Sequence, residues 1–155
     1  MKKLAAMLML ATALVTPGIA MARDVTIQTS LVQYSGHAAY LAIYLTNPDG
    51  SHNSTLWVSG QKSKYFGDLR GWARAASTAG SPNLDGITGA SVGGGQTLTV
   101  HANLADTLLD AGYQIHVDSA VENGGQYADD AVIGLTSTSA TVSGTGYVNT
   151  IALGL

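Results

Sequence analysis

The residues best placed to do chemistry lie in one short mid-chain segment, residues 85–91, with the sequence D-G-I-T-G-A-S. The segment is small, polar and rich in glycine, which is typical of an exposed loop. Gly89 and Ala90 leave the backbone beside the Ser91 hydroxyl bare, so a bulky partner could approach it. A serine hydroxyl is a poor nucleophile until a base or metal activates it, so chemistry at Ser91 would require an activating group.

Other reactive side chains give weaker patterns. The sequence has no P-loop and no Gly-x-Ser-x-Gly nucleophile motif, and no histidine lies in a recognisable nucleophile setting. The adjacent acids Asp129 and Asp130 are typical of a solvated turn. We expect His101 and His116 to face outward as diagonal neighbours on one hairpin. Two ligands are fewer than zinc needs, so we expect no metal site there.

Alternating apolar and polar residues predict strands on both sides of the 85–91 segment. The predicted strands cover residues 25–32, 39–45, 54–59, 97–101, 113–118, 131–136 and 147–153. In the third strand, Leu56 and Val58 are predicted to share one face, with Trp57 on the other. The fourth and fifth strands are predicted to pair as a hairpin. Strands at this spacing predict one antiparallel, immunoglobulin-like β-sandwich domain over residues 23–155.

The period changes to that of a helix between residues 63 and 77. Its predicted apolar face comprises Tyr65, Phe66, Leu69, Trp72, Ala73 and Ala76. Lys64 and Asp68 have the spacing of an i, i+4 ion pair. The residues predicted to be largely buried across the domain are Leu41, Ile43, Leu56, Val58, Leu69, Trp72, Leu98, Val100, Ile115 and Val117.

The first 22 residues have the pattern of a secretory signal peptide. Two lysines precede an apolar run over residues 4–15, and an A-x-A cleavage site ends at Ala22. The apolar run is too short to span a bilayer. These features predict cleavage after Ala22 and a periplasmic protein that starts at Arg23, with no membrane insertion after cleavage.

The composition excludes several classes of function. Loss of the two N-terminal lysines leaves five basic residues against ten acidic ones, a net charge of −5. This charge argues against binding to nucleic acid or to an anionic membrane surface. Because the chain has no cysteine, disulfides, Cys-ligated zinc, iron–sulfur clusters and thioether-linked haem are excluded.

The 85–91 segment resembles the acceptor motif of covalently flavinylated bacterial proteins. That motif consists of Asp, two residues, Ser or Thr, Gly, Ala, and then the Thr or Ser that carries FMN through a phosphoester. The matching residues are Asp85, Thr88, Gly89, Ala90 and Ser91. The resemblance implies a covalent FMN at Ser91. The chain departs from the usual motif in having Ser at the acceptor position and Val92-Gly93 after it.

A larger part of the chain, about residues 26–132, resembles a family of predicted periplasmic proteins of unknown function. The resemblance rests on ordered segments at residues 40–45, 55–58, 64–65, 68–72, 85–91, 112–113 and 122–125. Members of that family are similar to β-sandwich domains and accompany PepSY-type membrane flavin reductases and flavin transferases. The resemblance implies both as partners. It also implies electron transfer in an extracytosolic redox chain, with reduction of iron or another metal as one candidate end point.

Several roles follow from this interpretation. Asp85 and Thr88 are expected to hold the segment through side-chain to backbone hydrogen bonds. Trp72 and Tyr65 are candidate flavin contacts, with core packing as the competing role. We expect an electron carrier rather than an enzyme with its own small-molecule substrate. Two alternatives are a non-redox binding or scaffold protein, and a metal or haem-handling protein that uses the histidines: His37, His52, His101 and His116.

Overall fold

A computed structural model describes residues 21–155, which form nine strands and one α-helix. The strands are β1 (Ala22–Leu31), β2 (Tyr40–Thr46), β3 (His52–Ser59), β4 (Thr88–Gly89), β5 (Thr97–Ala105), β6 (Gln114–Ala120), β7 (Gln126–Gly134), β8 (Ala140–Ser143) and β9 (Val148–Gly154). The helix α1 is Arg70–Thr78, and two 3₁₀ helices cover Ser63–Asp68 and Asp106–Leu108. The body of the predicted signal peptide, residues 1–20, lies outside the described residues.

Two sheets pack face to face. The first has the strand order β5-β1-β9-β8, and the second has the order β4-β3-β2-β6-β7. All pairs are antiparallel except β3 with β4. The predicted sandwich is therefore confirmed. Its core is built from inward-facing aliphatic side chains, among them Ile27, Leu41, Ile43, Val100, Ile115, Val117 and Ile151.

A second apolar cluster lies on the outer face of the five-stranded sheet, beneath α1. Strand β2 contributes Tyr40, Ala42 and Tyr44 to it, and the helical segment contributes Leu69 and Trp72. Because β2 is covered on both faces, each of its residues is buried. The predicted apolar face of the helical segment is confirmed by this packing. Nothing helical within residues 21–155 has the length and hydropathy of a transmembrane segment.

The predicted continuous helix is divided at Leu69, where the backbone leaves the helical region. A 3₁₀ helix precedes this point, and α1 follows it. The Trp72 N–H in the first turn of α1 lacks an intrahelical acceptor, and the Asp118 carboxylate accepts it at 2.8 Å. Lys64 forms no ion pair with Asp68 in the described structure; its ammonium lies 4.7 Å from the centre of the Tyr65 ring.

The predicted hairpin between the fourth and fifth sequence strands is wrong. These strands are β5 and β6, and they lie in different sheets: β5 pairs with β1, while β6 pairs with β2 and β7. His101 and His116 are therefore not diagonal neighbours. Alternation identifies the buried face of each strand but not its partner, and both strands do face the same core from opposite sides.

The faces predicted for the third sequence strand are also wrong. In β3, Trp57 lies opposite Ile43 and Thr55 lies opposite Tyr44, so Leu56 is an extra residue that forms a bulge. As a result, Leu56 and Trp57 both pack toward the sandwich core, whereas Val58 faces the helix. Of the predicted core residues, Leu56 and Leu98 are half-buried and the other eight are buried.

The acids at 129–130 do not form a solvated turn. Both lie in β7, and Asp130 is only 1% exposed. Its carboxylate accepts hydrogen bonds from the backbone N–H groups of Thr145, Gly146 and Val148 at 2.8, 2.6 and 2.9 Å. It also accepts one from the Ser119 hydroxyl. Asp130 therefore fixes the connection between β8 and β9 against the other sheet.

Close packing at the start of α1 gives a prediction for Gly71. A Cβ at this position would lie 2.8 Å from both carboxylate oxygens of Asp118. We expect Gly71→Ala to lower the free energy of unfolding by about 1–3 kcal/mol, although alanine favours a helix. Gly67→Ala is the matched control, because its Cβ would meet no atom within 4 Å. Urea unfolding measures both, and equal stability of the two variants would contradict the close approach.

Candidate functional site

The 85–91 segment lies at the edge of the five-stranded sheet. Thr88 and Gly89 form β4, which runs parallel to the end of β3. The Val58 N–H donates to the Ile87 carbonyl at 2.9 Å, and the Gly60 N–H donates to the Gly89 carbonyl at 2.8 Å. The segment is therefore held by backbone hydrogen bonds along its length, rather than being a free loop.

The turn that enters β4 is held by Asn83. Its side-chain oxygen accepts the Asp85 N–H at 2.9 Å, and Gly86 has a φ of +76° that suits glycine. The side chains of Asp85 and Thr88 are exposed and make no hydrogen bond within the described residues. The predicted role of these two side chains in holding the segment is therefore wrong. Both are instead available to a partner.

Gly89 is required by its contact with Trp57. A Cβ at Gly89 would lie 2.7 Å from the indole ring. Trp57 is fixed in turn, because its Nε1–H donates to the Ser59 hydroxyl at 3.0 Å. The glycine of the motif thus lets the backbone pass directly over an aromatic ring, while Ala90 stays exposed.

Ser91 lies between two anchored points of the backbone. On one side is β4, and on the other Val92 pairs with Ala39 through two hydrogen bonds of 2.7 and 2.9 Å. The Ser91 side-chain oxygen accepts a long hydrogen bond of 3.3 Å from the Gln61 N–H, and the residue is half-buried. The hydroxyl is therefore fixed at the rim of the sandwich without a strong partner.

The residue after Gln61 is the basic residue Lys62. The Lys62 ammonium is 3.4 Å from Glu122, and Glu122 also accepts the Tyr40 hydroxyl at 2.8 Å. The hydrogen bond from Tyr40 and the charge of Lys62 lower the pKa of the Glu122 carboxyl. Tyr65 packs edge-on against Tyr40, with ring centres 5.6 Å apart, and is half-buried.

The two candidate flavin contacts differ in position. Tyr65 lies on the same rim as Lys62 and keeps part of its ring exposed. Trp72 is 6% exposed, and its Nε1–H donates to the Thr55 hydroxyl at 2.9 Å beneath α1. The structure therefore assigns Trp72 to core packing, the competing role noted for it.

A second polar site is spread over β2, β6 and β7, where no local sequence motif signals it. The Tyr44 hydroxyl donates to Asp118 and to Asp129, at 3.2 and 3.1 Å. Burial raises the pKa of the Tyr44 hydroxyl well above its usual range, and the two carboxylates raise it further. Burial also raises the pKa of the Asp118 carboxyl. The network packs against the start of α1 through Asp118.

His116 extends this network to a threonine. Its Nδ1 lies 2.7 Å from the Asp129 carboxylate, and its Nε2 lies 3.1 Å from the Thr46 hydroxyl. Thr46, His116 and Asp129 thus stand in the order of a nucleophile, a base and an orienting acid. No motif in the sequence signals this arrangement. However, Thr46 is 2% exposed, and the N–H groups of Gly50 and Ser51 on the facing turn already have acceptors. Neither of these two N–H groups is therefore free to stabilise an oxyanion beside Thr46.

The histidines are dispersed over the structure. His101 lies on the four-stranded sheet, 3.2 Å from the Thr26 hydroxyl, while His52 and His116 flank Tyr44 on the other sheet. Within residues 21–155, no three His, Asp or Glu side chains cluster closely enough to hold a metal ion.

Comparison with known proteins identifies a family. The family described as "Predicted periplasmic protein (DUF2271)" matches residues 22–150, which is most of the chain. No curated protein and no solved structure matches the chain. The family match confirms the resemblance to predicted periplasmic proteins. The chain therefore belongs to the DUF2271 family of predicted periplasmic proteins and is a protein of the periplasm.

Proposed function

We propose that this protein is a periplasmic electron carrier with FMN attached covalently to the Ser91 side-chain oxygen. The observation that carries the proposal is the position of Ser91 in an acceptor-type motif: a fixed rim hydroxyl that directly follows the exposed Ala90. The backbone anchors on both sides of Ser91 favour modification by a partner, because they present the hydroxyl in one place.

The attachment step requires a flavin transferase as partner. A new bond forms between the Ser91 oxygen and the phosphorus of FMN, while the phosphoanhydride bond of a flavin dinucleotide breaks and releases a nucleoside monophosphate. The serine proton passes to a base or metal-bound group of the transferase. The exposed side chains of Asp85 and Thr88 are then recognition elements for that enzyme. Neither makes a hydrogen bond within the described residues that would have to break when the enzyme binds.

The surroundings of Ser91 suit the product of this step. The phosphodiester keeps a negative charge, and the basic residue Lys62 directly follows Gln61, whose N–H contacts Ser91. Tyr65 offers a partly exposed ring for the isoalloxazine. Covalent attachment also retains the cofactor outside the cytoplasm, where a dissociable site would empty as the free flavin is diluted.

The flavin supplies the redox chemistry, and the protein supplies position and charge. A PepSY-type membrane flavin reductase is the proposed electron donor. The rim position of Ser91 would let donor and acceptor reach the flavin in turn, and the acceptor end of the chain is proposed to be iron or another metal. In this role the protein is a carrier and needs no small-molecule substrate of its own.

Serine variants test the proposal. When the protein is made beside an active flavin transferase, we expect Ser91→Ala to abolish covalent flavin and Ser91→Thr to retain it. Ser81→Ala is the matched control, because Ser81 is an exposed serine in the same connection. Asp85→Ala should reduce labelling without altering stability. In-gel flavin fluorescence after denaturation measures the label, and full labelling of Ser91→Ala would refute the assignment.

A further inference from the structure

A cavity lies between α1 and the five-stranded sheet. It has a volume of about 470 Å³, within the range of small-molecule sites. It opens beside His52 at the start of β3, whereas Ser91 lies beside residues that follow the end of that strand. It is therefore separate from the proposed flavin site. Its lining includes Tyr44, Thr46, His52, Arg74, His116 and Asp129.

From this cavity we propose a binding site for a small zwitterion of the α-amino acid class, with its carboxylate on Arg74 and its ammonium group on Asp129. The two charges stand on different elements, one on α1 and one on β7, and both line the same space. Arg74 and Asp129 do not form an ion pair with each other, and Arg74 pairs with no other carboxylate in residues 21–155.

Asp129 is aimed at the cavity by a backbone irregularity. The register between β6 and β7 shifts between Val117 and Ser119, so β7 bulges at this point. Asp129 adopts a φ of +51°, a left-handed conformation that is rare inside a strand. Bulges of this kind redirect side chains and are frequent beside functional sites. Without the bulge, alternation along β7 would set the direction of the Asp129 side chain.

The bulged carboxylate is held firmly and keeps accepting capacity. One of its oxygens accepts the Tyr44 hydroxyl and contacts His116 Nδ1, and the Asp129 N–H donates to Asp118 at 3.0 Å. The side chain is nevertheless 56% exposed. A carboxylate has about four lone-pair positions, so the second oxygen can accept an ammonium group.

Arg74 supplies the opposite pole. It lies on the exposed side of α1, and the hydroxyls of Ser77 and Thr78 bond to its carbonyl oxygen rather than to its guanidinium. A guanidinium presents parallel N–H groups that match a carboxylate. The same wall carries Ala75 and Ala79, which give an apolar surface for the rest of the ligand.

The arrangement selects for a ligand with both charges. A simple carboxylate would satisfy Arg74 and place its own charge near Asp129, while a simple amine would do the reverse. Only a molecule with both a carboxylate and an ammonium group gives Arg74 and Asp129 each a partner of opposite charge. A polar group left without a partner in a binding site weakens binding strongly. A zwitterion is also neutral overall, which suits a cavity that contains one charge of each sign.

Binding is measured on the exported protein by following the ring signals of His52 and His116 in NMR spectra during titration. The probes are glycine, L-alanine and L-serine, with acetate and ethylamine as the separated halves. We expect the amino acids to shift both histidine signals in a saturable way and at concentrations at least about tenfold lower than either half. Ser91→Ala protein should bind equally well, because this site does not depend on the flavin.

Arg74→Gln should weaken binding about tenfold or more, because it removes a charge-assisted pair. Arg70→Gln is the matched control, since Arg70 is exposed on the same helix and does not line the cavity. Unchanged spectra of the unliganded variants show that both remain folded. The proposal is overturned if no amino acid shifts the histidine signals, if acetate binds as tightly as glycine, or if Arg74→Gln binds like the wild type.

Discussion

Trp72→Ala should lower the free energy of unfolding by about 3–5 kcal/mol. Trp72 is 6% exposed and belongs to the cluster between α1 and β2. Phe66 packs edge-on against it, with the ring centres 6.2 Å apart. Removing the indole leaves a cavity beneath a nine-residue helix that is tied to the sheet mainly through this cluster and Asp118. The substitution also leaves the Thr55 hydroxyl without its donor.

Urea unfolding followed by circular dichroism measures the change. Trp72→Phe serves as the graded control, because it retains an aromatic ring and loses the hydrogen bond to Thr55. We expect it to cost less than half as much as Trp72→Ala. A loss below about 1 kcal/mol for Trp72→Ala would mean that the indole does not contribute to the core.

Asp130→Ala should also destabilise the protein by at least about 3 kcal/mol. The carboxylate accepts three backbone N–H groups from the connection between β8 and β9, together with the Ser119 hydroxyl. Each buried donor that loses its acceptor costs roughly 1–3 kcal/mol, and water reaching part of the site limits the sum. We therefore expect β8 and β9 to lose protection before the rest of the sandwich.

Hydrogen exchange of the backbone amides measures this local effect, and urea unfolding measures the total. Asp85→Ala is the control, because the Asp85 side chain is exposed and unbonded, and it should change stability by less than about 0.5 kcal/mol. If Asp130→Ala were as stable as Asp85→Ala, the four hydrogen bonds would have no energetic role.

The sequence predicted the elements of this fold better than their pairing. Alternation located most strands, and the helical period identified the buried face that includes Leu69 and Trp72. Alternation did not predict the correct partners of β5 and β6. Both strands face the same core from opposite sheets, and two strands paired in one sheet would show the same alternation. It missed β8 because a short edge strand has three exposed residues out of four and no alternation.

Irregular positions explain the other errors. The extra residue Leu56 moves Trp57 to the sandwich side, and a single inserted residue has no signature in an apolar run. Asp130 was interpreted as solvated because two adjacent acids are usually exposed; the donors that allow its burial lie 15–18 residues further along the chain. Such long-range polar contacts cannot be inferred from local composition.

The site around Ser91 could be predicted from the sequence, whereas the cavity beneath α1 could not. Residues 85–91 are contiguous, so their motif was visible, and the structure adds the anchors at Gly60 and Ala39 that hold it. The cavity charges Arg74 and Asp129 are distant in sequence and meet only through the packing of α1 on the sheet. The bulge that orients Asp129 depends on the pairing of β6 with β7.

The most direct test of the central claim is the intact mass of the exported wild-type protein made beside an active flavin transferase. We predict an increase equal to one FMN less one water, located on the peptide that contains Ser91, with a yellow colour that survives denaturation. An unmodified, colourless protein beside a transferase that labels a control substrate would contradict the account.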